Sequence, residues 1–119
     1  THCLSSAASD VYKRQGLTNA IILPVVLRFN LPGMEDKVKR MGEAMELEDL
    51  SVEDFITEIE RRLDEIDIPR SLSEISVPKG CEERIARKAL LDSAARTNPR
   101  AASLAEMRLL IKTSLNKAR

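Results

Sequence analysis

Ser51-Val52-Glu53-Asp54-Phe55-Ile56-Thr57-Glu58-Ile59-Glu60-Arg61-Arg62-Leu63-Asp64-Glu65-Ile66 is the stretch that decides the fold. Val52, Phe55, Ile56, Ile59, Leu63 and Ile66 recur at spacings of three, four and seven, the period of a helix with one apolar face. Ser51 stands as N-cap with Asp54 three residues on, so a hydroxyl accepts a backbone N–H and an acidic group meets the positive helix end. Ile68-Pro69 stops the helix, and Leu72, Ile75 and Val77 in the connection Arg70 to Val77 pin that loop to the core.

Working outward, Met34 to Met45 reads as a second helix, with Val38, Met41 and Met45 on one side and Glu35, Asp36, Lys37, Lys39 and Arg40 mostly on the other. Leu17 to Phe29 is apolar almost all round and belongs in a core. Its β-branched content allows a strand, but its length favours a helix that Pro24 kinks or opens. Asn30-Leu31-Pro32-Gly33 ends that segment. Downstream, Pro78 to Cys81 opens a helix running to about Ala95, with Ile85, Ala86, Ala89 and Leu90 inward, before Thr97-Asn98-Pro99-Arg100 breaks the chain. A last helix follows Ser103, where Glu106 completes a Ser-x-x-Glu capping box, and carries Leu104, Met107, Leu110, Ile111 and Leu115 inward. No segment alternates with period two long enough to argue a sheet, so the predicted fold is all-α, a bundle of four to five helices.

Ser5 to Gln15, Ser-Ser-Ala-Ala-Ser-Asp-Val-Tyr-Lys-Arg-Gln, reads as translated sequencing adapter, and Thr1 to Leu4 fit the same origin. Residues 1–15 are therefore expected to be an adapter-derived disordered segment, and 16–119 part of one small helical domain. Setting 1–15 aside removes His2, the sole histidine, and Cys3. Cys81 is then the one cysteine, which excludes an intramolecular disulfide and fits a reducing compartment. The remaining 17 basic and 18 acidic residues give no electrostatic reason to expect nucleic acid, and Phe29 and Phe55 offer no stacking platform. Ala20 to Leu27 is too short to span a bilayer and lacks the basic flank of a secretory signal, so no membrane is expected and a cytoplasmic location is the default.

On its own residues the chain offers no catalytic, cofactor-binding or metal site. The acidic runs Glu46-Leu47-Glu48-Asp49 and Asp64-Glu65 lack the glycine-punctuated loop of a calcium site and read as solvated faces. Gly16, Gly33, Gly42 and Gly80 are too scattered for a phosphate loop.

Gly16-Leu17-Thr18-Asn19-Ala20-Ile21-Ile22-Leu23-Pro24, followed by Val26, Arg28, Phe29 and Asn30, resembles the His-Gly-x-x-Asn-Ala-x-x-Leu-Pro-x-Val segment of iron-containing (group III) alcohol dehydrogenases. Thr97-Asn98-Pro99-Arg100 resembles the late Asn-Pro-Arg signature of the same family. The resemblance implies a piece of the carboxy-terminal helical domain of a dehydroquinate-synthase-like fold. It implies a parent enzyme that interconverts a small alcohol with an aldehyde or ketone, using Fe2+ or another divalent metal and NAD(P)(H), and it allows a homo-oligomeric parent. The metal is implied to be held by an Asp and three His, the last of them just before the motif's Gly. Gln15 stands at that position, so this piece alone is expected to be inactive. Family members often carry His at the position of Val25, a departure that touches specificity or packing.

The reading from another class is a free-standing helical interaction module without catalytic activity. On either reading, Leu17 to Phe29 expects neighbours on all sides, and each aliphatic side chain left wet forgoes roughly 1.5 to 3 kcal/mol. The isolated chain should therefore bind a hydrophobic dye and tend to aggregate. A monomer that melts sharply and leaves the dye dark would contradict this.

Overall fold

Six α-helices, α1 (Ala8–Asn30), α2 (Glu35–Ala44), α3 (Val52–Glu65), α4 (Glu82–Leu91), α5 (Ser93–Arg96) and α6 (Leu104–Lys117), with a 3-10 turn at Leu72–Ile75, make up the computed structural model. It describes residues 8–48 and 50–119, and none of these forms a strand. The expectation for residues 1–7 falls outside them. From Ala8 the backbone is already helical, upstream of the predicted start at Leu17. Pro24 sits inside α1 and is fully buried, so it is carried within the helix and does not open it.

Two apolar clusters organise the helices, and α1 contributes to both. Ile21 and Val25 pack with Leu72, Leu115 and Ala118, bringing together α1, the 3-10 turn and α6. One to two turns further along, Leu27 and Leu31 join Val38, Phe55 and Ile56 from α2 and α3. The predicted pinning of the loop by Leu72, Ile75 and Val77 is found, all three lying in or against the first cluster. Ile66 departs from its predicted inward place and is 68% exposed. Helix α3 has ended there: Asp67 adopts φ 58, Ile68 N–H donates to Leu63 O at 3.0 Å and Asp67 N–H to Asp64 O at 3.1 Å. This is a Schellman turn, and it swings Ile66 off the apolar stripe.

The predicted caps form. Ser51 Oγ accepts from Asp54 N–H at 3.1 Å. At α6, Ser103 Oγ accepts from Glu106 N–H at 3.1 Å while Glu106 Oε1 accepts from Ser103 N–H at 3.0 Å. Gly33, at φ 84, occupies the third position of a turn closed by Met34 N–H to Leu31 O at 2.8 Å, a conformation that a side chain would strain. The helix predicted to run to Ala95 instead breaks at Asp92, whose backbone is extended and whose carboxylate accepts from Ala94 N–H at 2.8 Å. Aspartate competes with the helix by offering its own cap, which divides the predicted element into α4 and α5.

Cys81, 8% exposed just ahead of α4, is disulfide-bonded, which corrects the expectation that the chain has no intramolecular disulfide. That expectation had set aside Cys3, which lies outside the described residues.

The outer face of α3 carries a chain of ion pairs. Glu58 Oε1 meets Arg61 at 2.6 Å and Arg62 at 3.1 Å, and Arg61 also reaches Glu65. The hydrogen bond from Arg61, then that from Arg62, lowers the Glu58 carboxyl from 4.5 to about 2. Because its folded value lies below its unfolded one, the contribution is present above about pH 4.5 and fades as the pH falls towards 2. Glu58→Gln should therefore melt lower than the parent at pH 7, with the gap closing between pH 5 and pH 2 in calorimetric scans. A gap that stays constant over that range would show that the pairs add nothing pH-dependent.

Candidate functional site

The residues of the two sequence motifs fall into two groups, one at each end of α1. At the amino-terminal end, Gln15, Gly16 and Asn19 are exposed, Ala20 is half-buried and Leu23 is 38% exposed. Positions 15, 16, 19 and 23 share one helical stripe, so these side chains line one outward face. Pro24 and Val25 turn the other way, into the core. Val25 is 6% exposed among Leu72 and Leu115, a setting that suits an aliphatic residue and would desolvate an imidazole.

The carboxy-terminal end of α1 is held by polar contacts from elsewhere in the chain. Asn30 Nδ2 donates to Asn98 Oδ1 at 2.9 Å, and Asn98 Nδ2 donates to Asn30 Oδ1 at 2.9 Å. Each carboxamide uses its oxygen and one N–H on the other, a pairing that fixes both orientations at once. The second N–H of Asn98 reaches Arg100 O. Arg100 then returns to α1: its guanidinium stacks 4.0 Å from the centre of the Phe29 ring and donates to Phe29 O at 3.0 Å. That carbonyl belongs to the last helical turn, where it has no intrahelical donor. Arg100 also pairs with Glu106 at 3.0 Å, the residue that caps α6. Backbone bonding from Ser103 is the largest cause holding the Glu106 carboxyl below its ordinary value, and Arg100 adds to it. Pro99, between these residues, is exposed and shapes the turn.

One residue earlier on α1, Arg28 is gripped by α3. It meets Glu60 through two parallel contacts of 2.8 and 3.1 Å and Glu53 at 2.9 Å. The Glu60 hydrogen bond is the main cause raising the Arg28 guanidinium further above its already high value. Fork-to-fork pairing of this kind fixes direction as well as distance. With Arg28 38% and Glu53 66% exposed, the pairing orients the helix more than it stabilises it. Sequence reasoning quoted Arg28 only as part of a motif. Its partners lie on a different helix, and no local pattern marks them.

Chemically, this end of α1 binds and orients. Carboxamides, guanidiniums and carboxylates are paired there. Between α1, α3 and α6 opens a groove of about 550 Å³ with Val25, Phe29 and Leu110 on its floor.

At the amino-terminal end the donors do not fit a divalent metal. A neutral carboxamide at position 15 is a poor ligand, and among the described residues no group of three His, Cys, Asp or Glu could hold an ion. No helix among the described residues is long and apolar enough to cross a membrane.

Loss of the amide pair should be measurable. Removing Asn98 leaves a half-buried Asn30 carboxamide without its partner, at a cost of about 1–3 kcal/mol. In a urea-denaturation cycle, Asn30→Ala and Asn98→Ala should each destabilise, and the double variant should lose well under the sum. Strict additivity would mean that the two amides are not coupled.

In comparisons with known proteins, residues 1–115 match the model of the Fe-containing alcohol dehydrogenase family, C-terminal. Neither curated proteins nor solved structures returned a match.

Proposed function

Because the chain belongs to the Fe-containing alcohol dehydrogenase family, an oxidoreductase family, we propose that it is the carboxy-terminal helical part of an enzyme interconverting a small-molecule alcohol with an aldehyde or ketone. The observation that carries this reading is the match over residues 1–115. The meeting of Asn30 with Asn98, and of Phe29 with Arg100, supports it, because residues quoted from two separate family-like motifs contact one another. In the parent, NAD(P)(H) would carry the hydride and a divalent metal, Fe2+ by family, would act as Lewis acid on the substrate oxygen.

The described residues of this chain do not supply that metal's ligands. Gln15 takes the place where the motif has its last His, and no step of the reaction is assigned to any residue here. What the chain contributes is placement: α1 presents Gly16, Asn19 and Leu23 on one outward face while its other end is tied to α3 and to the turn before α6. We propose that the chain by itself is inactive, that residues 1–15 are adapter-derived, and that the parent works in the cytoplasm.

The decisive experiment is to amplify genomic DNA outward from the Asn19 to Asn30 coding region and sequence across the Gln15/Gly16 junction. A His codon before Gly16, in a frame that runs on into dinucleotide-binding sequence, is the expected result. Finding the Ser5 to Gln15 codons in the genome behind a natural start would overturn it in favour of a helical interaction module. In parallel, the chain supplied with Fe2+ and NAD+ or NADP+ should reduce neither cofactor in the presence of simple alcohols.

A further inference from the structure

Helix α2 is fastened differently from its neighbours. Arg28 and Glu60 join α1 to α3, and Glu83 and Arg108 join α4 to α6. No side chain of α2 makes a hydrogen bond or ion pair with any described residue. Its hold is apolar: Met34, Val38, Met41 and Met45, spaced by four, three and four residues, form one stripe packed in the cluster of Leu31, Phe55 and Ile56. Three of the chain's four methionines thus lie in this one seam. Val38 is 1% exposed, whereas the three methionines are half-buried and within reach of a small solute.

We infer that α2 is an oxidation-released element: hydroperoxides convert Met34, Met41 and Met45 to sulfoxides, and the modified stripe lets α2 detach from α3 and the end of α1.

The chemistry needs only hydrogen peroxide or an alkyl hydroperoxide. A lone pair on the thioether sulfur attacks the terminal hydroxyl oxygen, and the S–O bond forms as the O–O bond breaks. The departing oxygen takes the hydroxyl proton and leaves as water or an alcohol. Sulfur gives up two electrons, and the peroxide gains them.

The product is a polar acceptor among apolar side chains. Every residue packed in that cluster is apolar, so a sulfoxide oxygen meets no side-chain donor there and turns to water, carrying the stripe with it. A helix with polar ties stays in place. Met107 is such a case: it too is half-buried, but α6 is also held through Glu106 by Arg100 and through Arg108 by Glu83. Helix α2 is ten residues long, too short to persist alone, so its release amounts to local unfolding.

Tryptic cleavage at Lys37, Lys39 and Arg40, all exposed on α2, reads that release, because a protease needs the helix locally open. After hydrogen peroxide treatment of the 119-residue chain, peptide mass spectrometry should find one added oxygen on each of Met34, Met41 and Met45. Cleavage at the three α2 sites should quicken roughly tenfold or more, and cleavage at Arg61 and Arg108 far less. Methionine sulfoxide reductase with dithiothreitol should return the slow rate, whereas dithiothreitol alone, which reduces the Cys81 disulfide and no sulfoxide, should not. Replacing all three by leucine (Met34→Leu, Met41→Leu, Met45→Leu) keeps the volume of the stripe and removes its sulfur, so this variant should resist peroxide. Met107→Leu should stay as sensitive as the parent. Should the triple variant not fold, each single substitution should remove a share of the response. Seam methionines that stay unmodified while Met107 oxidises would overturn the inference, as would sulfoxides that leave α2 uncut or an equal quickening at Arg61 and Arg108. So would a fast rate that persists once the sulfoxides are reduced, or leucine variants as sensitive as the parent.

Discussion

Everything in this chain leans on α1, because it is the one helix that belongs to both apolar clusters. Ile21 and Val25 sit in one, and Leu27 and Leu31 reach the other. A helix apolar on most of its circumference cannot be satisfied by a single neighbour. Here it is served in sequence along its length: α6 and the 3-10 turn cover the middle, and α2 with α3 cover the end. From residue 15 onward, the exposed large apolar side chain of α1 is Leu23. Burying Ile21 and Pro24 completely within such a helix leaves little freedom for it to rotate, since every buried side chain would have to find a new hole in a close-packed interior.

Packing fixes where a helix lies better than it fixes how far it slides along its axis, and the polar contacts at the end of α1 supply what packing lacks. Arg28 is held by two carboxylates of α3, Phe29 O by Arg100, and Asn30 by Asn98. Three consecutive residues thereby meet two different parts of the chain. Directional hydrogen bonds at successive positions admit one register, because a slip of one residue would present a different side chain to each partner. Arg100 extends the same constraint to α6 through Glu106, so the end of α1 and the start of α6 share a residue.

The parts legible in the sequence were those with local causes. The period of α3, the Ser51 cap, the Ser103 and Glu106 box, and the Pro32-Gly33 stop all act within a few residues, and all are found. The break at Asp92 was missed although its cause is local, since an aspartate inside an apolar periodic run is ordinarily read as a solvated position. The exposure of Ile66 was missed because helical spacing alone does not reveal where the left-handed residue at Asp67 will end the stripe. Partnerships between elements were illegible in kind: nothing in the neighbourhood of Asn30 indicates Asn98, and nothing near Arg28 indicates Glu60. In the sequence the two motifs resemble one family independently of each other. Their physical contact is information that only the fold supplies.

That contact bears on the exposed half of the first motif as well. Gly16 and Asn30 are separated by about 21 Å of continuous helix at 1.5 Å per residue, and a helix packed along its middle moves as a rod. A rod whose far end is fixed in register and rotation carries its near end to one place. The amide pair and the Arg28 and Arg100 contacts therefore set the direction in which Gly16, Asn19 and Leu23 face, without touching any of them. This gives the late Asn-Pro-Arg turn a mechanical reason to accompany the early glycine motif: one presents a surface, and the other holds the far end of the helix that presents it.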